Sequence, residues 1–471
     1  MKKLKRIAAG ILAAAITAGL LTVGASAASE KMKLRTVSID KIEGTNIFWN
    51  LGDGYFALNN SADPNLDPDI DQIIYIGKDE LESWQKTGKI SYKKVKTDVD
   101  MTDMLIGSYF SADGNSMQLV TCDADRYALK RYIVSHNEKN TKITTAYTKG
   151  SDWVYTRPDG YSVEGKWNKA QTSYTVTVTA PDGTKKSKKL TYKGEGDSRV
   201  LLYGVEGTGK YVAYVLWKTN EYTDNVYVGE DMLQLNQSSS FVLYGLKKNG
   251  KLTTLFNYES SKRGDRRGAY SFGVDSCGSN FISFWVDNPP IPAQYMVYLS
   301  NSGKTISFDG EVLNKKGDGI CGTYYGINDE VYGSRAIVQL GIYNSETKTT
   351  DTNHYILADL STAKGDYGMI TALSDVYQSM RTWDGKIYRV STADGKVGYI
   401  NKKGKVLAMF DDAGSFIGDY APVVKNGKAY LIDRNMKQVS EKIDADGVST
   451  EGEGLFYIIK GDKRMLMTYK K

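Results

Sequence analysis

The sequence is poor in the side chains that most often carry chemistry. Its 471 residues include 2 histidines, 3 cysteines and 8 prolines. With His136 and His354 alone, a Ser-His-Asp or Cys-His arrangement would have to use one of those two. Cys122, Cys277 and Cys321 cannot all pair within one chain, so this is no disulfide framework. A Cys277–Cys321 bridge and three buried thiols stay equally open. Histidine-rich and Cys-x-x-Cys metal motifs are absent, and nothing argues for a cofactor. After the first residues there is no long apolar run.

What stands first reads as an export signal. Lys2, Lys3, Lys5 and Arg6 precede an apolar run at 7–23, and Ala25-Ser26-Ala27 is a small-residue cleavage site. The expectation is a signal peptide over 1–27 and a secreted, extracellular mature chain from Ala28, possible partners including the cell wall. No cysteine follows the run for lipid attachment, and the lysine-rich start suits a Gram-positive secretor. Removing the signal takes four basic residues from 61 and leaves the 55 acidic ones untouched, so a formal +6 falls to about +2. That near-neutral balance gives nucleic-acid binding no support.

Composition then points to β-structure, with 34 Tyr and 47 Gly. The run Ile-Asn-Lys-Lys-Gly-Lys at 400–405 has near-copies at 246–251, 299–304 and 432–437, the last with Met436 in the glycine position. Each joins two short strand-like runs, and the glycine supplies the positive φ of a tight hairpin. A further strand precedes each pair. The repeating unit of strand, loop, strand, glycine turn, strand predicts an all-β, β-propeller-like repeat fold of seven or eight blades.

The C-terminal copies resemble the WG-repeat family of bacterial proteins. The resemblance covers about residues 385–471 and rests on Gly-Lys-x-Gly-Tyr-Ile-Asn, the Gly-Lys turn, Phe-Asp-Asp, and Tyr-Ala-Pro-Val before the next Gly-Lys. The naming Trp-Gly pair is Val397-Gly398 in one copy and Ala429-Tyr430 in the next. The resemblance implies β-repeats and an interaction role, and brings no catalytic residues. The expected organisation is β-propeller-like repeats over 28–373 and WG-like repeats over 374–471, which either complete the same ring or extend it. The run at 372–385 reads as a short helix at that boundary.

Motif matches fall away on their chemistry. Gly204 to Tyr211 fits G-x-x-x-x-G-K, but Tyr211 replaces the magnesium-binding Ser or Thr and a strand pattern follows, so it reads as a hairpin. The acidic alternation at 63–71 resembles a calcium loop, yet Pro68 replaces the turn glycine and Ile74 the bidentate acid. Ser276 and Ser198 lack nucleophile motifs.

The functional expectation rests on loop length. Long inserts at 218–238, 287–294 and 344–353 are read as loops joining second and third blade strands, all opening on one face. They place Trp217, Tyr222, Asp224, Tyr227, Trp285, Asp287, Asp351, Asn353 and His354 as candidate binding residues. Aromatic rings with Asp and Asn suit a glycan or peptide. The reading is an exported, non-catalytic binding or scaffold protein at the cell surface. The alternative is a secreted carbohydrate-active enzyme using Asp/Glu pairs in a propeller funnel.

Overall fold

The structure, a computed structural model, describes residues 31–38, 45–50, 54–59, 72–95, 104–110, 116–122, 129–137, 140–148, 154–156, 160–170, 172–191, 196–205, 210–228, 231–259, 271–278, 280–287, 293–299, 305–308, 311–362 and 370–470. The signal-like segment at 1–27, the acidic alternation at 63–71 and the turn at 300–304 lie outside these residues.

Among the described residues the strands form nine sheets. Eight follow one another along the chain, with four strands side by side in sequence order: blade 1 (45–95), blade 2 (104–148), blade 3 (154–191), blade 4 (196–259), blade 5 (271–308), blade 6 (311–371), blade 7 (379–410) and blade 8 (412–444). Blade 6 gains a fifth strand, Ile370–Thr371, parallel to Glu311–Leu313. Blade 9 takes Gly447–Gly452, Leu455–Lys460 and Lys463–Tyr469, and its fourth strand is Leu34–Ser38, pairing from Leu34↔Tyr469 to Ser38↔Met465. This is the expected all-β propeller, with nine sheets instead of seven or eight. The stretch at 372–385 is not a helix. Its Tyr377 exchanges two backbone hydrogen bonds with Tyr355, and Ser379–Thr382 opens blade 7.

Period-two patterning builds the sheets. In Ser173–Thr179 the buried Tyr174, Val176 and Val178 face blade 4, where Val212, Val215 and Leu246 receive them. Blade 6 packs Val338, Leu340 and Ile356 in its own core beside Phe281 of blade 5. Side chains of this kind contribute about 1.5–3 kcal/mol each when fully buried. The cores run on between neighbours. Leu357 of blade 6 meets Tyr388 and Val390 of blade 7, Tyr399 of blade 7 meets Val423 of blade 8, and Leu431 of blade 8 meets Phe456 of blade 9. The helix Lys78–Thr87 follows the third strand of blade 1, and its Leu81 and Trp84 pack on Leu455 and Leu466 of blade 9. Blades 9 and 1 are therefore in contact, and the series closes on itself.

Directional bonds tie neighbouring blades. The Tyr214 hydroxyl donates to the Gly278 carbonyl (3.0 Å), and Tyr399 does the same to Gly414 (2.7 Å). Arg434 of blade 8 reaches Asp384 of blade 7 at 2.6 Å and donates twice to the Gly418 carbonyl. The 400–405 run is a hairpin turn. Asn401 and Lys405 close it through backbone bonds, the Asn401 side chain accepts Lys403 N–H and Lys405 N–H, and Gly404 takes φ 76°. Asp433 plays the asparagine's part at 433–437, where Met436 holds φ 65° without being glycine. Gly204 ends one strand and Tyr211 begins the next, so the phosphate-loop look-alike joins two strands and has no helix after it.

Candidate binding surfaces

The three inserts do not share one face. In blade 4 the connection between second and third strands is residues 229–230, because Tyr211–Val228 and Asp231–Lys247 run on as one long hairpin. Tyr222, Asp224 and Tyr227 are strand residues of this ribbon, paired to Gln237, Asn236 and Met232. The first strand of the blade pairs only as far as Glu221, so roughly seven residues of ribbon, ~23 Å, run past the four-stranded sheet. Trp217 lies lower on the same strand and is core, 7% exposed between blades 3 and 4. Trp285 and Asp287 stand at the end of Phe281–Asp287, before the connection at 288–292. Apart from that of Trp217, the side chains of these blade 4 and 5 residues lie outside the described ones. The third insert joins the third and fourth strands of blade 6, Arg335–Asn344 and Thr349–Asp359, so it opens at the opposite end. Counting blade 6 from its short first strand, Glu311–Leu313, makes the difference, and three residues carry too weak a pattern to be seen in the sequence.

Asp351, Asn353 and His354 are brought together there. Leu340 pairs with His354, but Ile342 pairs with Asp351, so the fourth strand carries one extra residue. In a regular strand, positions three apart point to opposite faces; the bulge turns Asp351 and His354 to the same one. Side chains satisfy the backbone groups that the bulge frees. Gln339 Nε2 donates to the Thr352 carbonyl (2.8 Å), and Asn353 N–H donates to Asp351 Oδ1 (2.9 Å). His354 Nε2 stands 3.0 Å from Asp351 Oδ2, and its Nδ1 stands 3.4 Å from Gln378 Nε2 in blade 7. With Nε2 protonated, Nδ1 accepts from the Gln378 amide and both ring nitrogens are engaged. The Asn353 N–H chiefly holds the Asp351 carboxyl below its ordinary range, against the opposing effect of burial and with help from the histidine. The histidine is thus oriented by a carboxylate but directed at an amide, an arrangement suited to fixing the bulge and not to activating a hydroxyl.

On the other face of the same strands, where Gly341 and Tyr343 alternate with Leu340 and Ile342, stand two exposed aromatics that the sequence reading missed. Tyr343 is 64% exposed and Tyr325 43%. Gly341 lies between them, and a Cβ there would stand 2.9 Å from Thr350 Cγ2 and 3.7 Å from a Tyr325 ring carbon. The missing side chain lets the Thr350 methyl and the Tyr325 ring close over the strand at Gly341, which is buried. The register Thr323↔Gly341 and Tyr343↔Thr350 puts these residues on one face. Exposed Trp383, whose carbonyl accepts the Tyr332 hydroxyl at 2.7 Å, stands at the first turn of blade 7.

Two further features bear on chemistry. Cys321 is a free thiol, half-buried against the blade 6 core, and burial pushes it above the ordinary thiol range. It is therefore not bridged to Cys277. A cleft of about 570 Å³ opens on blade 3, lined in part by Glu164, Lys166, Thr175 and Thr177. Among the described residues no helix is long and apolar enough to cross a membrane, and no group of three or more His, Cys, Asp or Glu is placed to hold a metal.

No protein-family model matches the chain, the WG-repeat family included, and no curated protein matches it. Its likenesses are to solved structures. A Dos1 propeller is 10% identical, with 93% of this chain and 95% of that one covered and a TM-score of 0.38. The WD40 domain of SCAP from fission yeast is 9% identical over 78% of this chain and 95% of that one, with a TM-score of 0.31. The β-propeller domain of the Trilobed protease from Pyrococcus furiosus is 12% identical over 78% and 93%, with a TM-score of 0.30. These likenesses are of fold, and no functional argument rests on them.

Proposed function

We propose that the chain is an exported, non-catalytic binding or scaffold protein whose recognition surface includes the Tyr325–Tyr343 end of blade 6. The observation that carries this reading is two exposed tyrosines on neighbouring strands, Tyr325 and Tyr343, at the end of blade 6 where the strand bulge fixes a polar cluster on the other face. Exposed rings suit apolar stacking, and the exposed Asn353 and, on the other face, Asp351 supply hydrogen bonds at the same strand end. A glycan, a cell-wall polymer or an extended peptide has that combination of flat apolar face and hydroxyl or amide edge. Export is supported by the basic start, the apolar run at 7–23 and Ala25-Ser26-Ala27. WG-like character in blades 7 to 9 is supported by the Gly-Lys hairpins at 395–396, 404–405 and 427–428.

The test is binding of the chain from Ala28 onward to a glycan and cell-wall array. Wild type would be compared with Tyr325→Ala/Tyr343→Ala and with Tyr222→Ala/Tyr227→Ala/Trp285→Ala. Loss of about tenfold or more in the first variant, with circular dichroism unchanged, is expected for stacked rings worth ~1.5 kcal/mol. Undiminished binding in that variant sinks the blade 6 assignment, and loss only in the second moves the site to blades 4 and 5.

A further inference from the structure

We infer that blade 3, with the adjoining turn of blade 4, binds a linear polyanion bearing tetrahedral oxyanions, phosphate or sulfate, along its lysine-rich edge. This surface is separate from the one proposed above. The last strand of blade 3, Lys185–Thr191, reads Lys-Lys-Ser-Lys-Lys-Leu-Thr, and its first five residues are exposed. It is the edge of its sheet. Residues 183–194 hold five lysines and no acid, and residues 240–258 hold three more, again with no acid.

Packing joins the two basic segments. A Cβ at Gly250 would stand 2.8 Å from Lys186 Cβ, so the blade 4 turn carrying Lys248 and Lys251 lies directly on the lysine strand. Lys248 is stationed 4.7 Å from the Tyr161 ring centroid. Among the described residues Lys185, Lys186, Lys188, Lys189 and Lys251 are in no ion pair, whereas Lys315, Lys396, Lys428 and Lys460 each face an aspartate. The blade's nearest acids are occupied or set back. Asp182 accepts the Thr184 N–H within its own turn, and Glu164 lies two strands in from the edge.

Cross-strand register adds a cleft to this edge. Lys166, Thr175 and Lys189 form one row and Glu164, Thr177 and Ser187 the next, all on one face. The 570 Å³ cleft opens on these rows, so this face offers ammonium and hydroxyl groups beside the single Glu164 carboxylate, while Lys186 and Lys188 stand on the other side of the same edge with the blade 4 turn. Ammonium groups on flexible stems neutralise a line of charges without demanding fixed spacing, and hydroxyls donate to oxyanions. Lysines on an open edge also discourage strand-to-strand aggregation. Edge protection alone does not call for a second basic turn packed on the first, or for lysines lining a cleft.

The experiment titrates the full chain with polyphosphate, heparin and poly-glutamate from 50 to 200 mM salt. It compares wild type, Lys186→Gln/Lys188→Gln/Lys189→Gln, and the charge-matched Lys402→Gln/Lys403→Gln/Lys405→Gln in blade 7. The expected result is polyphosphate or heparin binding that falls steeply with salt. The edge variant should bind at least about tenfold more weakly at 50 mM with a log–log salt slope shallower by about 2, and the blade 7 variant should lose less than about threefold. The ratio of the two polymers separates phosphate from sulfate as the preferred group. Equal loss in both variants would show only net-charge attraction and overturn the site. Poly-glutamate binding as tight as the oxyanion polymers would overturn the ligand class. Self-association of the edge variant with no polyanion binding by wild type would make the lysines edge protection only.

Discussion

Two glycines of blade 7 occupy the same left-handed backbone region in different surroundings, and substituting each by alanine separates backbone strain from close packing. Gly395 has φ 79° with nothing within 4 Å of an added Cβ. Gly404 has φ 76°, but its Cβ would fall 2.1 Å from the Leu373 carbonyl oxygen and 2.5 Å from the carbonyl carbon. Gly395→Ala carries the left-handed penalty of about 1–2 kcal/mol, partly offset by a stiffer unfolded chain, so a net loss of about 1 kcal/mol is expected. Gly404→Ala carries the same penalty and must also push back the 373–374 backbone. Leu373 N–H donates to the Leu357 carbonyl at 2.7 Å, so the displacement strains or breaks that bond. Adding about 1 kcal/mol for the bond and 1–3 for the overpacking gives a loss of about 3–5 kcal/mol. Nine sheets need not unfold as one unit, so the assay is native-state hydrogen exchange of the Leu373, Tyr355 and Tyr377 amides. Protection at Leu373 should fall by about 2–4 kcal/mol more in Gly404→Ala than in Gly395→Ala. A difference under about 0.5 kcal/mol, the usual scatter between independent sites, would refute the close-packing argument.

Ser440 is fully buried, accepts the Leu431 N–H at 2.8 Å and donates to the Glu441 carbonyl. Ser440→Ala leaves that N–H without a partner, and a loss of about 1–3 kcal/mol in exchange protection at Leu431 is expected; unchanged protection would mean the strand finds another acceptor. Burial raises the Asp384 carboxyl, but the Lys386 N–H and Arg434 outweigh it, and the net shift is downward. A carboxyl lowered in the folded state stabilises fully above the unfolded value of about 3.9, and this contribution is lost as pH falls through the lower folded value. Urea unfolding from pH 7 to 2.5 should therefore show wild type exceeding Asp384→Asn at neutral pH, with the gap closing only in the acid range; a gap independent of pH would remove the carboxylate from the explanation.

The repeat was legible because its turns need particular residues. Asn401 or Asp433 must cap the turn, and a residue of positive φ must follow, so the pattern survives where strand sequences drift. Met436 kept the spacing visible even without the glycine. Blade count was less legible, since the first strand of blade 8, Asp412–Ala413, has two residues and no periodicity to read. Closure was invisible, because nothing local marks Leu34–Ser38 as a partner of Lys463–Tyr469. The candidate residues illustrate both outcomes. Asp351 and His354 converge because of a bulge, which shifts parity without leaving a composition signal. Trp217 was taken for a rim residue, but the alternation of its strand turns it into the core. Tyr325 and Tyr343 look like ordinary strand tyrosines until Gly341 is placed between them.

The 32-residue spacing of Gly404 and Met436, short for a four-stranded blade, is accommodated by the way blade 7 hands over to blade 8. Phe410 ends one sheet and Asp412 begins the next, so Asp411 alone is the connection. Its carboxylate binds Lys396 Nζ at 2.7 Å and accepts the Asn426 N–H at 2.6 Å. Asn426 and Gly427 both have positive φ, the paired left-handed geometry of the tightest hairpins. One aspartate therefore anchors the finished blade to the tip of the next blade's central hairpin. Asp446, in the two-residue connection between blades 8 and 9, likewise caps the next hairpin, but takes both its partners there, Lys460 Nζ at 3.2 Å and the Gly461 N–H at 2.8 Å. Both carboxyls are held below their ordinary range, Asp411 chiefly by Lys396 and Asp446 chiefly by the Gly461 N–H. These pairs are exposed and each contributes little as a salt bridge. Their value is geometric: a carboxylate that caps a turn and meets a lysine fixes the blade-to-blade step in one or two residues, where a longer linker would have to be ordered at about 1–2 kcal/mol per residue. The short repeats are complete blades because their linkers have been reduced to one or two residues that include a capping aspartate.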